Sequence, residues 1–129
     1  MHELSLAHSI GEIAVRALHD ETAAQSPQDG VRVGKVRVRV GDLSGVDPEA
    51  LAFCFEVVRG EWVETTGAAL EVERCPVRVR CQACGRESEL ALNPLLESSG
   101  CTACGESRRE IVGGRELEVF GVELVGRAA

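Results

Sequence analysis

The chain has 129 residues, of which 44% are apolar, and its formal net charge is −7 at pH 7. This length allows one small domain with an added module, and the apolar share is enough for a buried core. The acidic balance argues against a general basic surface for nucleic acid, and the apolar runs are too short to cross a bilayer. We therefore expect a globular protein without nucleic-acid or membrane partners.

An amphipathic helix is predicted from residue 4 to about residue 25. Its apolar side chains recur at steps of three and four residues and form one stripe. This stripe consists of Leu6, Ile10, Ile13, Ala14, Ala17 and Leu18. His8 and His19 lie off the stripe, and Glu12 precedes Arg16 by four residues, so these four side chains are predicted to lie on the solvated face.

A strand and a second helix are predicted next. Residues 31–40 alternate valine with Arg or Lys, which is typical of a strand with one buried face. The phase slips at Gly34, where a bulge or a late strand start is expected. Asp47 is a preferred N-cap residue, Pro48 suits the first helical position and Glu49 adds an acid to the first turn. The apolar face of this helix is predicted to contain Leu51, Phe55, Val58 and Trp62.

Two further strands are predicted at residues 68–74 and 116–125, and we expect them to pair antiparallel. The predicted fold class is α+β, a small antiparallel sheet packed against two helices, with an inserted four-cysteine module that resembles a zinc ribbon. The predicted domains are residues 1–73 with 112–129, and the inserted residues 74–111.

The inserted module contains two C-x-x-C pairs separated by sixteen residues. The four cysteines are Cys81, Cys84, Cys101 and Cys104. This spacing is that of a structural zinc site with four thiolate ligands and no open position. Gly85 and Gly105 each follow a pair, where such a turn tends to need a positive φ.

Disulfides and a redox motif are the alternatives for these cysteines. The first residues lack the basic and apolar regions of a signal peptide, so we expect a cytoplasmic protein with reduced thiols. A redox C-x-x-C normally occurs once, beside a βαβ unit, whereas here the pair is doubled. Cys75 could compete as a ligand, although the adjacent Pro76 favours a strand exit. Zinc is therefore the preferred interpretation.

The amino terminus offers three nitrogens along one short path: the terminal amine, the His2 backbone amide and the His2 imidazole. With the amide deprotonated, these donors lie nearly in one plane, which suits Ni(II) or Cu(II) rather than tetrahedral Zn(II). Glu3 could add a carboxylate oxygen or its own amide. The alternative is a terminus that is mobile or simply caps the helix.

Residues 1–5 read Met-His-Glu-Leu-Ser and residues 41–48 read Gly-Asp-Leu-Ser-Gly-Val-Asp-Pro. Together with the doubled C-x-x-C, these segments resemble the hydrogenase nickel-incorporation family of the HypA/HybF type, over nearly the whole chain. The resemblance implies a nickel metallochaperone and not an enzyme. It further implies that His2 and neighbouring amides bind Ni(II), with Glu3 and Asp47 as additional or nearby residues.

The same resemblance implies partners. They are a GTPase of hydrogenase maturation, the large subunit of a [NiFe]-hydrogenase and, for some members, the urease accessory proteins; the chain itself would be a monomer or a homodimer. Since the sequence lacks a phosphate loop of the G-x-x-x-x-G-K-[S/T] kind, a GTPase would have to be a separate protein. Nickel would be bound transiently and zinc structurally.

Two other classes of function stay open at this point. One is a zinc-ribbon interaction or nucleic-acid adaptor without a nickel role, which the acidic charge and the lack of Phe, Tyr or Trp in residues 75–115 disfavour. The other is a thiol oxidoreductase, which would lack a stable zinc. No catalytic constellation stands out in the sequence, and Ser44 has no motif partner.

Overall fold

The computed structural model describes residues 2–22, 30–90 and 100–126, except the side chains of His2 and Thr22, and it confirms the α+β fold class. The elements in chain order are α1 (His2–Thr22), β1 (Val31–Gly41), α2 (Pro48–Val58), β2 (Ala69–Cys75), β3 (Val77–Cys81), β4 (Glu87–Leu90), β5 (Arg109–Gly113) and β6 (Leu117–Gly126). Two short 3₁₀ turns, Arg59–Glu61 and Val63–Thr65, lie between α2 and β2. Neither described helix combines the length and hydrophobicity needed to span a membrane.

The chain divides into two units. The first contains residues 1–39, 46–73 and 118–129, and the second contains residues 40–45 and 74–117. The domain boundaries predicted from the sequence, residues 1–73 with 112–129 and residues 74–111, stay a prediction.

Helix α1 begins at His2, two residues before the predicted start. The predicted end near residue 25 lies outside the described residues. The apolar side chains that α1 buries are Ala7, Ile10, Ala14 and Leu18. Ile13 was predicted to belong to this stripe, but it is 45% exposed. The buried stripe is narrower than predicted because its centre line passes through positions 7, 11, 14 and 18, which leaves position 13 at its edge.

Helix α2 has the predicted N-terminal cap and buried face. Leu51, Phe55 and Val58 are buried as expected. Trp62 does not continue this face, because α2 ends at Val58 and the indole packs on α1 instead. A Cβ at Gly11 would contact the ring of Trp62, at 2.8 Å from Cη2. The absence of a Cβ at Gly11 therefore leaves room for the indole to pack on α1.

Strand β1 is the central strand of the first unit's sheet, with β2 on one side and β6 on the other. The prediction that segments 68–74 and 116–125 pair with each other was therefore wrong. The charges of the three strands favour the observed order. The Arg37 guanidinium lies 2.8 Å from the carboxylate of Glu71 on β2 and 3.3 Å from that of Glu123 on β6. Cross-strand pairs of opposite charge are stabilising, so a strand that carries cations is most stable between two strands that carry acids.

Arg39, two residues after Arg37 on β1, makes contacts of the same kind with both neighbouring strands. Arg39 contacts Glu73 at 2.8 Å and Glu118 at 3.6 Å, and its guanidinium lies 3.9 Å from the ring centroid of Phe120. The exposed face of this sheet is therefore a ladder of ion pairs, with the basic strand in the middle.

The opposite face of β1 is its buried face. Val33, Val36, Val38 and Val40 are all at most 1% exposed. The phase slip predicted at Gly34 is confirmed, since the buried positions change from odd to even there. A Cβ at Gly34 would lie 2.7 Å from Cγ1 of Val125, so a larger residue would displace β6 side chains.

The second unit contains a three-stranded sheet with β3 in the middle. Strand β3 pairs antiparallel with β4 and with β5. Its buried side chains are Val77, Val79 and Cys81, and the arginines between them face outward. Arg80 contacts Glu87 of β4 at 3.0 Å and Glu110 of β5 at 3.4 Å. The sequence-based prediction missed this strand, although its Val-Arg-Val-Arg alternation is the signal that identified β1.

Candidate metal centres

The four cysteines of the two C-x-x-C pairs come together in the second unit. Their sulfur atoms all lie within 4.8 Å of one another. The Sγ atoms of Cys81 and Cys104 are 3.5 Å apart, and those of Cys84 and Cys101 are 3.6 Å apart. These distances are far longer than the ~2.05 Å of a disulfide bond. Four sulfurs arranged tetrahedrally around one zinc ion at ~2.3 Å would stand ~3.8 Å apart, so the group fits such an ion.

Each pair is held by the same local turn. The N–H of Gly85 donates to the carbonyl of Cys81 at 2.9 Å, and the N–H of Gly105 donates to that of Cys101 at 2.7 Å. Both glycines have a positive φ, +79° and +81°, as the sequence predicted. The two turns thus aim both sulfurs of a pair in one direction, which is why the C-x-x-C spacing recurs in metal sites.

Backbone N–H groups also point at the first sulfur of each pair. The N–H groups of Ala103 and Cys104 lower the pKa of the Cys101 thiol to about 6. The backbone N–H groups of Cys84 and Ala83 lower the pKa of the Cys81 thiol in the same way. The nitrogen of each lies 3.4 Å from the Cys81 Sγ. A lowered pKa favours the thiolate, which is the form that binds a metal ion.

The pKa of the Cys104 thiol is shifted in the opposite direction, upward. The N–H of Glu106 lowers the pKa of Cys104, but contact with Cys81, burial and the other two thiols raise it to about 12. Four sulfurs at these distances cannot all be anionic without a cation between them, because like charges repel at short range. A divalent ion at the centre removes this conflict, since it attracts every thiolate. The donor set and its spacing therefore fit a thiolate-bound metal ion.

Cys75, which the sequence left open as a competing ligand, is not in this group. It lies at the end of β2, where its carbonyl accepts a hydrogen bond from the Asp42 N–H at 2.9 Å. Among the described residues, the four clustered cysteines are the only group of three or more potential ligands close enough to hold a metal ion.

The second candidate centre is the amino end of α1. The carboxylate Oε2 of Glu3 accepts a hydrogen bond from the Asp47 backbone N–H at 3.1 Å, across 44 positions of sequence. The structure therefore brings together two of the three residues predicted for nickel. The third, His2, is the first residue of α1, and its side chain lies outside the described part of the chain.

Asp47 has the capping role predicted for it. Its side chain accepts hydrogen bonds from the N–H groups of Glu49 and Ala50, at 3.0 Å and 3.5 Å, and Pro48 occupies the first helical position. The backbone of Asp47 thus contacts Glu3 while its carboxylate caps α2. These are two separate functions in one residue.

Segment 41–48, which supports part of the family resemblance, divides between the two units. In the second unit, the N–H of Gly41 donates to the carbonyl of Glu116 at 2.7 Å, and the N–H of Leu43 donates to that of Gly114 at 2.6 Å. Asp47 and the start of α2 belong to the first unit. A Cβ at Gly41 would clash with the Gly114 carbonyl, which explains a glycine at this position.

The histidines of α1 have partners that the sequence did not reveal. The His8 nitrogens lie 3.7 Å from a Glu12 oxygen and 3.3 Å from a Glu61 oxygen, so His8 contacts one acid on its own helix and one beyond α2. His19 lies 3.0 Å from the carboxylate of Glu64, which is buried. The long-range partners, Glu61 and Glu64, have no local signal in the sequence, because they are far from the histidines along the chain.

The fold and the thiol cluster define a small two-unit α+β protein with four cysteines placed to hold a metal ion. Residues 1–124 match the family described as hydrogenase/urease nickel incorporation, metallochaperone, HypA, and the chain belongs to this family. This confirms the resemblance seen in the sequence. It also places the chain among maturation factors.

Relatives and solved structures agree with this assignment. The chain is 38% identical over 122 residues to the hydrogenase maturation factor HypA of Streptomyces avermitilis, covering 95% of this chain and 86% of that protein. It is 42% identical over 124 residues to the HypA of a Roseiflexus species, covering 95% and 91%. A solution structure of a HypA protein superposes with a TM-score of 0.67 at 21% identity, covering 98% of both chains. The solution structure of the Ni metallochaperone HypA from Helicobacter pylori gives 0.52 at 22% identity, covering 93% and 97%. At these identities the two structures support the fold.

Proposed function

We propose that the chain is a metallochaperone and not an enzyme: it binds Ni(II) at its amino terminus and, together with a GTPase partner, delivers it to the large subunit of a [NiFe]-hydrogenase. The observation that carries this proposal is the match of residues 1–124 to the nickel-incorporation family, in a sequence that opens Met1-His2-Glu3. The name of the Helicobacter pylori neighbour, a Ni metallochaperone, supports nickel as the cargo. Because the family description includes urease, urease maturation is a second destination.

Three nitrogens would hold the nickel: the terminal amine, the His2 amide and the His2 imidazole. The first N–H groups of a helix have no carbonyl partner within it. Since α1 begins at His2, the amide of His2 is one of these groups, and it can lose its proton without breaking a helical hydrogen bond. Three coplanar nitrogens suit Ni(II) better than Zn(II).

Glu3 and Asp47 would set the electrostatics of this site. The amino end of a helix carries the positive end of its dipole, which disfavours a cation. The carboxylate of Glu3, in the first turn of α1, opposes this effect. Its hydrogen bond to the Asp47 N–H keeps both acids at the same end of α1. We propose Glu3 as a nickel residue and Asp47 as a nearby one.

Nickel transfer would proceed by ligand exchange. A site made from the first residues of one helix involves few groups, so a partner's ligands can replace them one at a time. Binding at such a site also costs ordering entropy, which favours release over permanent retention.

The four-cysteine centre would hold Zn(II) permanently. Four thiolates complete a tetrahedral shell and leave no position for water, which is the arrangement of structural and not catalytic zinc sites. Reduced thiols are needed for this role, so we propose that the protein works in the cytoplasm, as a monomer or a homodimer.

Replacing His2 by alanine tests the nickel site. We expect His2→Ala to abolish stoichiometric Ni(II) binding in calorimetry and to leave the zinc content and the circular dichroism unchanged. His8→Ala is the matched control, since it removes an imidazole from the same helix without touching the first residues. An amino-terminal extension ahead of Met1 should weaken nickel binding as well, because it removes or crowds the amine.

X-ray absorption on the nickel- and zinc-loaded protein identifies the donors directly. We expect nitrogen and oxygen scatterers around nickel and four sulfurs around zinc. Tight nickel binding by His2→Ala, or sulfur scatterers around nickel, would overturn the proposal. A protein that binds zinc but no nickel would instead be the adaptor considered in the sequence analysis.

A further inference from the structure

Each C-x-x-C pair contains one shielded sulfur and one exposed sulfur. Cys81 is buried and Cys101 is half-buried, whereas Cys84 and Cys104 are exposed. A cysteine is oxidised most readily where it is both a thiolate and accessible from solvent. Bound to a metal ion, all four sulfurs would be thiolates. Exposure therefore distinguishes Cys84 and Cys104 from the other two.

Backbone hydrogen bonds distinguish the two exposed sulfurs from each other. The Cys104 sulfur accepts a hydrogen bond from the N–H of Glu106. Among the residues that the structure describes, no backbone N–H donates to the Cys84 sulfur. A hydrogen bond stabilises the negative charge of a thiolate and so weakens it as a nucleophile. Cys84 is therefore the sulfur most open to attack on an oxidant.

The Cys84 sulfur also lies against a sulfur of the other pair. Its distance from the Cys101 Sγ is 3.6 Å. A disulfide bond is ~2.05 Å long, so an approach of ~1.5 Å would join the two sulfurs. The resulting disulfide would link one C-x-x-C pair to the other.

We propose that Cys84 is an oxidation site for hydrogen peroxide and that Cys101 then closes a disulfide with it. In the first step the Cys84 thiolate attacks a peroxide oxygen, the O–O bond breaks and hydroxide leaves, so the sulfur becomes a sulfenic acid and the peroxide is reduced. In the second step the Cys101 thiolate attacks the Cys84 sulfur, the S–S bond forms, the S–O bond breaks and a second hydroxide leaves. Two thiolates and one peroxide thus give one disulfide and two hydroxide ions.

This disulfide would release the zinc proposed for the four cysteines. Only Cys81 and Cys104 would remain as thiolates, and it is the thiolate form that binds a metal ion. The second unit would lose its metal, whereas the first unit, where the nickel site is proposed, contains none of these four cysteines. The release of zinc rests on the proposed zinc site, while the disulfide rests on the exposure and position of the sulfurs.

Trypsin separates the two pairs and so makes the linkage measurable. Cleavage after arginine leaves the first pair on peptide 81–86 and the second pair on peptide 87–108. The zinc-loaded full chain is treated with an equimolar amount of hydrogen peroxide while a chromogenic chelator reports zinc release. Free thiols are then blocked, and the peptides are analysed by mass spectrometry without reduction. We expect zinc release together with a linked pair of peptides, whose fragmentation places the disulfide at Cys84 and Cys101.

Two histidine variants identify the residue that is attacked first. Both keep four ligands, because three thiolates and one imidazole also form a structural zinc site. We expect Cys84→His to retain zinc and to slow its peroxide-driven release about tenfold or more, since the exposed nucleophile is gone. Cys104→His is the matched control, and it should still form the disulfide between Cys84 and Cys101.

Further controls address the thiols outside the cluster and the nickel site. The double variant Cys54→Ser with Cys75→Ser should give the same linked peptides as the wild type. His2→Ala should do so too, which keeps this test independent of nickel binding. Disulfides within each pair, seen as unlinked peptides each lighter by two hydrogen atoms, would overturn the proposal, as would four thiols left free by peroxide. Purified protein without zinc would refute the zinc site and its release together, while the peptides would still decide the disulfide.

Discussion

At the scale of single residues, Asp47 shows how one position serves both structure and the proposed site. Its carboxylate caps α2 through the N–H groups of Glu49 and Ala50, while its own N–H donates to Glu3. The cap was evident from the sequence, because Asp-Pro-Glu is a local signal of a helix start. The contact with Glu3 was not, because nothing local joins residues 44 positions apart.

Replacing Asp47 separates its two roles. We expect Asp47→Ala to lower the free energy of unfolding by ~1 kcal/mol, the usual cost of losing a helix cap. Asp47→Asn is the matched variant, since asparagine caps equally well but carries no charge. Urea unfolding followed by Trp62 fluorescence measures stability, and calorimetry measures nickel affinity. A weaker nickel affinity in Asp47→Asn at unchanged stability would assign the charge to the metal site. An Asp47→Ala protein as stable as wild type would contradict the capping role.

Gly11 provides a second test at this scale. Alanine is intrinsically favoured over glycine in a helix by ~1 kcal/mol. At position 11, however, the added Cβ would press on the Trp62 indole, and overpacking of this kind costs ~1–3 kcal/mol. We therefore expect Gly11→Ala to be destabilising in urea unfolding and to shift the emission of Trp62, the only tryptophan.

The controls for Gly11→Ala use the same substitution elsewhere and a smaller partner. Gly60→Ala should have little effect, because no other side chain or backbone atom lies within 4 Å of the place that a Cβ would take there. Adding Trp62→Leu to Gly11→Ala should recover part of the lost stability, measured by circular dichroism. Equal stability of Gly11→Ala and Gly60→Ala would mean that the indole does not limit this position.

At the scale of elements, charge favours the observed order of the strands in the first unit. The basic strand β1 lies between β2 and β6, and its arginines contact glutamates on both. Each of these surface pairs is worth little alone, but a ladder of them favours one arrangement of strands over another. The sequence showed the charges of each strand but not which strands would be neighbours.

The pH dependence of this ladder follows from Glu71. The hydrogen bond from Arg37, together with the charge of Lys35, holds the pKa of Glu71 below its ordinary value of 4.5. A lowered pKa means that the stabilisation is present above the ordinary value and is lost as the pH falls through the folded-state value. We expect Arg37→Gln to reduce this acid-dependent loss and to raise the pKa of Glu71 in a carboxyl NMR titration.

Arg16→Gln is the control for this titration, because Arg16 belongs to α1 and lies outside the sheet. It should leave both the Glu71 titration and the acid-dependent slope as in the wild type. An unchanged pKa of Glu71 in Arg37→Gln would show that the pair does not form in solution.

At the scale of the whole molecule, the two units differ in what stabilises them. The first unit has two helices packed on a sheet, with large buried side chains such as Phe55, Leu18 and Leu51. In the second unit the buried apolar side chains of the described residues are Val40, Val77, Val79 and Cys81. So small a core cannot offset the conformational entropy of folding by itself. The thiolate-bound metal ion would supply the difference.

Removing the zinc proposed for the four cysteines should therefore unfold one unit and spare the other. Structural zinc contributes ~10–16 kcal/mol in small zinc-dependent folds. We expect a strong chelator, or Cys84→Ser, to abolish the dispersed amide signals of β3, β4 and β5 in NMR spectra. The Trp62 emission and the helical circular dichroism should persist. Ser44→Ala, which leaves the thiols intact, serves as the control variant. Retention of the β3–β5 signals without metal would contradict this view.

The sequence by itself determined the features that depend on neighbours along the chain. These are the amphipathic α1, the cap at Asp47, the phase slip at Gly34, the strand β6 and the two C-x-x-C turns with their glycines. Each is set by local backbone preferences or by a short period of apolar residues, so a window of a few positions contains all the information. The same reasoning could have predicted strand β3 from its alternation of valine and arginine.

Only the tertiary structure decided the contacts between distant residues. It placed β1 between β2 and β6, moved Trp62 from α2 onto Gly11, turned Ile13 outward and joined Glu3 to Asp47. Many pairings of charges and apolar surfaces satisfy the local patterns equally well. The packing of all elements together selects one of them, because a close-packed interior accepts only side chains whose shapes fit each other.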